Sequence, residues 1–144
     1  MRLFSLCALG FLAILIGACA STPRGVASNA VIVGPSDAGS LVRIEPGQQL
    51  VIQLNANPSS RFRWEINHKL DQSVVLSDGT HFQMTSAQRQ RQEEVGTQYL
   101  RFVGQQPGRT TIKLVYVQPR VGTLEDSPTY SVEVIVAPKP VSPR

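Results

Sequence analysis

Chemistry in this chain would have to come from very few side chains. The histidines are His68 and His81. Neither has a His, Asp or Glu at the spacing by which a loop or helix presents metal ligands, so no metal is expected. Ser60, His81 and Asp78 are of the types that make a nucleophile, a base and an orienting acid. They are scattered, however, and no Gly-x-Ser-x-Gly turn surrounds Ser59-Ser60. Glu93 and Glu94 are adjacent. On a strand they would point to opposite faces, and in a loop both would be solvated, so they make no acid–base pair. No glycine-rich loop is placed to cradle a phosphate. These residues point away from an enzyme and from any cofactor, and towards a protein that works by contact.

The stretch best suited to contact is Asn57-Pro58-Ser59-Ser60-Arg61-Phe62-Arg63-Trp64. Polar turn residues lead straight into an alternating Phe62, Trp64, Ile66 face, which predicts an exposed loop held at the end of a sheet. The elements that must hold it are short strands and short apolar runs. Ala30–Val33, Leu41–Ile44 and Gln49–Leu54 come before it, with Leu50, Ile52 and Leu54 facing one way and Val51 and Gln53 the other. After it come Arg61–Asn67, Val74–Leu76, Thr80–Thr85, Gln98–Val103, Thr110–Val117 and a last run through Tyr130, Val132, Val134 and Val136. Ser86–Thr97 is polar with almost no apolar face and reads as a mobile loop. Gln105-Gln106-Pro107-Gly108 reads as a hairpin-type turn. Trp64, the only tryptophan, reads as a core anchor rather than a ligand platform. Seven to eight short strands with turn signals between them, and no convincing helix, predict an all-β sandwich over 29–137. Pro138, Pro140 and Pro143 end regular structure in a Pro-rich tail, 138–144.

At 144 residues the chain holds one domain. The first 19 residues stand apart from it. Arg2 supplies a positive start, Leu3–Ile16 is apolar but short for a membrane span, and Gly17-Ala18 precede Cys19. Ile16-Gly17-Ala18-Cys19 resembles a bacterial lipoprotein signal box. That resemblance implies cleavage before Cys19 and lipid on this residue, with 20–28 as a tether. It also implies export to the cell envelope, with the outer membrane as the default because Ala20 follows the cysteine. Cys7 would leave with the signal. Cys19 would then be the only cysteine, so no intrachain disulfide forms and the domain must stand on its own core. The formal charge of +4 comes from scattered basic residues without a stripe or helix-face cluster, so nucleic acid is not an expected partner.

The order of motifs from Gln49 to Val136 resembles the chagasin-type inhibitors of papain-family cysteine peptidases. Asn57-Pro58-Ser59-Ser60-Arg61-Phe62-Arg63-Trp64 is close to that family's Asn-Pro-Thr-Thr-Gly-Tyr/Phe-x-Trp loop. Val95-Gly96-Thr97 precedes a Phe102-bearing strand, like the family's Gly-containing loop. Gly108 to Tyr116 is similar to its Gly-x-x-x-Leu/Ile-x-Leu-x-Tyr strand, and Tyr116-Val117-Gln118-Pro119-Arg120 stands in the place of its Tyr-x-Arg-Pro-Trp loop. The resemblance implies an immunoglobulin-like β-sandwich whose loops wedge into a peptidase cleft, reversibly and without a covalent bond. It implies a central loop of Asn57, Pro58, Ser59, Ser60, Arg61 and Phe62. Ser86–Thr97, with Gly96 and Thr97, and Gln118–Gly122, with Gln118, Pro119 and Arg120, would grip the sides. A papain-family peptidase and, through the lipid, a membrane are then the expected partners, with a monomer as the expected state. Three departures stand out. Arg61 replaces a Gly that permits φ > 0, Gln118 replaces Arg, and Arg120 replaces a Trp anchor. They leave open a second reading, a non-inhibitory immunoglobulin-like envelope lipoprotein that binds another protein.

Overall fold

The computed structural model describes residues 29–91, 95–138 and 140. The export signal at 1–19 with Cys19, the tether at 20–28, Glu93 and Glu94, and most of the Pro-rich tail lie outside the described residues.

Among the described residues eight strands form two four-stranded sheets. They are β1 (Val31–Val33), β2 (Leu41–Ile44), β3 (Gln49–Ala56), β4 (Arg63–Ile66), β5 (Val75–Gln83), β6 (Gly96–Gly104), β7 (Gly108–Val117) and β8 (Thr129–Val136). One sheet runs β1-β3-β6-β5 and the other β2-β8-β7-β4. The period-2 alternation explains why two layers form. In β3 against β6, Leu50 pairs with Phe102 and Ile52 with Leu100. In β7 against β8, Ile112 pairs with Val132 and Leu114 with Tyr130. All eight side chains are buried in one core cluster between the sheets. Each fully buried aliphatic side chain there contributes roughly 1.5–3 kcal/mol, which is how a domain with no disulfide is held. The all-β immunoglobulin-like sandwich is therefore the observed fold.

The chain changes sheet between β1 and β2. Gly34 N donates to Asp37 Oδ2 at 2.7 Å, and the Tyr130 hydroxyl donates to Gly34 O at 3.0 Å. Burial, and secondarily the Asp37 charge, push the Tyr130 hydroxyl up to about 12. It therefore stays a donor throughout the physiological range.

Several expectations need correction. Val75-Leu76 and Thr80–Gln83, from the two runs Val74–Leu76 and Thr80–Thr85, belong to one strand, β5, whose register shifts between Ser77 and Thr80. Gly79 takes φ +91° at that bulge, so the glycine marks a kink in a strand and not a break between two. Ser86–Thr97 is not simply a loop. Ser86–Gln90 forms a short helix, α1, and Gly96 and Thr97 are strand residues of β6. The helix forms without an apolar face because Thr85 and Gln88 cap it reciprocally. Gln88 N donates to Thr85 Oγ1 at 3.1 Å and Thr85 N to Gln88 Oε1 at 2.8 Å. Gln105–Pro107 is not a hairpin turn, because β6 and β7 lie in different sheets. A Pro-Gly reversal marks the bend but not which sheet the chain enters next. Val51 faces away from the central cluster yet is fully buried, between Ile32 and Arg101 in the register.

Candidate functional site

The strand registers bring three connections to one end of the sandwich. The end of β3 pairs with the start of β6 at Ala56 and Gly96, and the end of β5 pairs with it at Gln83 and Thr97. The start of β4 pairs with the end of β7 at Arg63 and Val117. The described parts of three connections, 57–62, 84–91 with Val95, and 118–128, thus emerge together.

The first of these is braced mainly by its own polar groups. Asn57 Oδ1 accepts from Ser59 N at 2.9 Å and from Ser60 N at 3.2 Å, which caps the 3₁₀ turn Pro58–Ser60. Ser60 Oγ donates to Asn57 O at 2.7 Å and accepts from Phe62 N at 3.3 Å. The Ser60 hydroxyl is therefore spent inside the loop. Arg61 follows at φ +63°, the only non-glycine residue at positive φ among the described residues. The arginine thus occupies the left-handed conformation that glycine adopts freely, which answers the doubt raised by its side chain.

The loop is also fastened to the sandwich. Tyr116, inward-facing at the end of β7, accepts a hydrogen bond on its hydroxyl from Asn57 N at 2.8 Å. Its ring stacks on Phe62 at 5.7 Å between centroids and lies against Trp64 at 5.2 Å. Trp64 is half-buried against the core cluster rather than enclosed within it, and its Nε1 donates to Asn55 O at 2.9 Å. Gln98, the buried polar residue of β6, spans the two sheets. Its Oε1 accepts from Trp64 N at 2.8 Å, while its Nε2 donates to Trp64 O at 2.9 Å and to Thr80 Oγ1 at 3.2 Å. The residues expected as loop tip and core anchor are thus held by Tyr116, expected only as a strand and motif residue, and by Gln98, expected only as the start of a strand. The signal for Gln98 was its place in the inward series Gln98, Leu100, Phe102. For Tyr116 it was a hydroxyl at an inward position, which needs a partner.

Gly96 and Thr97 lie beneath the second connection and not on its tip. Gly96 is buried, and a Cβ there would stand 2.4 Å from Phe82 Cζ and 2.7 Å from Gln83 O. This glycine answers a close approach rather than an unusual backbone angle. In the third connection Val121 N and Gly122 N donate to Gln118 O at 2.9 and 3.0 Å, a tight turn that carries Pro119 and Arg120 outward. Val121, Leu124 and Val95, exposed by 60%, 53% and 45%, are half of the large exposed apolar residues among those described. All three stand on the second and third connections, where contact with a partner would cover them.

Among the described residues no hydrogen bond joins Ser60, His81 and Asp78. His81 stacks on Tyr99 at 4.7 Å and Asp78 accepts from Gln49 Nε2 at 3.5 Å. Burial, and then the Arg101 charge, hold the His81 imidazole below its ordinary value. Among the described residues no group of three or more His, Cys, Asp or Glu could hold a metal ion.

Residues 43–134 match the family described as "Chagasin family peptidase inhibitor I42". The cysteine protease inhibitor EhICP2 from Entamoeba histolytica superposes with a TM-score of 0.65 at 18% identity, covering 75% of this chain and 96% of that one. Amebosin, solved in solution, gives 0.60 at 18% identity, covering 75% and 98%. PbICP-C, solved in complex with falcipain-2, gives 0.40 at 19% identity, covering 78% and 95%. No curated protein matches the chain. The family match spans most of the sandwich and all three connections, and the chain belongs to the chagasin family, whose members are peptidase inhibitors and not enzymes.

Proposed function

We propose that this domain is a reversible inhibitor of papain-family cysteine peptidases, which it blocks by laying the segments 57–62, 84–95 and 118–122 into the active-site cleft. The observation that carries this reading is the bracing of Asn57–Phe62. Asn57 Oδ1 and Ser60 Oγ are bonded within it, Tyr116 pins its entry, and Arg61 keeps the left-handed backbone. A loop fixed before docking loses little conformational freedom on binding, so buried contact converts efficiently into affinity. The Ser60 hydroxyl is committed within the loop, which favours occlusion over any covalent exchange with the enzyme.

The test is titration of residues 21–144 against papain and a cathepsin L-type peptidase. Inhibition that is lost on dilution, with peptidase activity regained, is expected. A folded sample that leaves both enzymes active at tens of micromolar would refute the proposal. Arg120, exposed where the family pattern has a Trp anchor, favours the second reading, a non-inhibitory module on another envelope protein. That outcome would appear as folded protein without inhibition. We also propose that Cys19 carries a lipid that holds the domain at the cell envelope. Cys19→Ser should move the protein out of the membrane fraction, and unchanged fractionation would count against the anchor.

A further inference from the structure

Beside the three connections the sandwich is open. β5 and β4 are edge strands of different sheets and do not pair, and between them lies a cleft of about 670 Å³. Its walls are Arg61–Arg63, the β5 segment Thr80–Phe82 and the turn at Pro119–Arg120. The amide of Gln98 reaches the lining, but its bonds are already taken by Trp64 and Thr80. What the interior offers is largely the rings of Phe62 and Phe82. The mouth is cationic. Arg63 is paired with Glu65 at 2.6 Å. Arg61 and Arg120 are exposed, and no carboxylate among the described residues pairs with either or lines the cleft. Two exposed guanidiniums at one opening, with no carboxylate partner among the described residues, offer a place for a carboxylate from another molecule. The forked guanidinium geometry suits it. The volume falls in the range of roughly 300–1,000 Å³ typical of specific ligand sites.

We propose that this cleft, on the flank of the same three-segment wedge, takes an acidic loop from the rim of the bound peptidase, seating a carboxylate between Arg61 and Arg120 and an apolar side chain on Phe62 and Phe82. The proposal rests on the inhibitor reading above and adds a selection rule to it: among papain-family enzymes, those with an acidic rim beside the active site are held more tightly.

The experiment compares wild type, R61Q/R120Q, R61E/R120E and K113E, the last placing the same kind of charge change on the exposed face of β7. Inhibition constants are measured against one papain-family peptidase with an acidic rim and one with a neutral rim, at low and high salt. Melting curves confirm that each variant is folded. R61Q/R120Q should weaken inhibition of the acidic-rim enzyme about tenfold and R61E/R120E more. R61Q/R120Q should weaken inhibition of the neutral-rim enzyme less than that of the acidic-rim enzyme, and K113E should change inhibition of either by less than about threefold. Salt should weaken the wild type on the acidic-rim enzyme and have little effect on R61Q/R120Q. Equal losses on both enzymes, or no loss on either, would overturn the cleft proposal and leave the inhibitor reading standing. Failure of the wild type to inhibit either enzyme would overturn the inhibitor reading itself.

Discussion

Replacing Arg61 with glycine should make the domain more stable, although it removes a side chain and adds no contact. Arg61 is held at φ +63° by the bonds on either side of it, with Ser60 Oγ bridging Asn57 O and Phe62 N. A residue with a Cβ pays roughly 1–2 kcal/mol to stay in that region. Glycine removes this strain but takes back about 0.5–1 kcal/mol through its freer unfolded chain. The net gain is about 0.5–1 kcal/mol, which in a domain of this size raises the melting temperature by roughly 3–6 °C. The assay is thermal and urea unfolding of wild type, R61G and R61A. Alanine loses the guanidinium as glycine does but keeps the Cβ, so it should melt at or slightly below the wild-type temperature. If R61G proves no more stable than R61A, the strain is not stored at position 61 and the reasoning fails.

Tyr116→Phe keeps the ring contacts with Phe62 and Trp64 but leaves Asn57 N without its acceptor. It should cost about 1 kcal/mol in urea unfolding and weaken inhibition further than that loss of stability explains. Gln98→Leu fills similar space but orphans the Trp64 N–H and C=O, and should destabilise by about 1–3 kcal/mol in the same assay. Gly96→Ala drives a methyl against Phe82 and the Gln83 carbonyl and should cost about 1–3 kcal/mol, read as a lowered urea midpoint. His81, with its pKa lowered in the folded state, supports folding above the unfolded value of about 6.5 and loses that support as pH falls towards the folded value. The melting temperature should therefore fall between about pH 7.5 and 5.5, and His81→Gln should flatten that fall.

Strand pairing explains which parts of the fold were legible in the sequence. Leu50-Ile52-Leu54, Ile112-Leu114 and Tyr130-Val132-Val134-Val136 announce a half-buried strand because period-2 alternation is a local property. Which sheet a strand joins is not local. Gln105–Gly108 gives the same bend whether the chain pairs back or crosses over, so the crossing from β6 to β7 was hidden. The central loop was legible as far as its tip, since Asn, Pro and Ser are turn residues on their own account. Its supports were not, because Tyr116 lies 59 positions from Asn57 and Gln98 lies 34 from Trp64. The conformation of Arg61 was obscured for the opposite reason. Its side chain argues against a backbone angle that the neighbouring hydrogen bonds impose.

The Gln98 amide also bears on how this molecule meets copies of itself. In β4 the Arg63 and Glu65 positions face β7, while the N–H and C=O of Trp64 point off the rim of the sheet, where an extended segment of another chain would add on. Gln98 supplies one acceptor and one donor there, in the pattern that such a segment would offer. The rim is thus plugged by a side chain from the opposite layer, and a strand seeking to extend the sheet at this point would first have to displace it. Gln98→Leu would unplug that rim. It should therefore raise the tendency to aggregate as well as lower stability, and light scattering of the folded variant would register the difference.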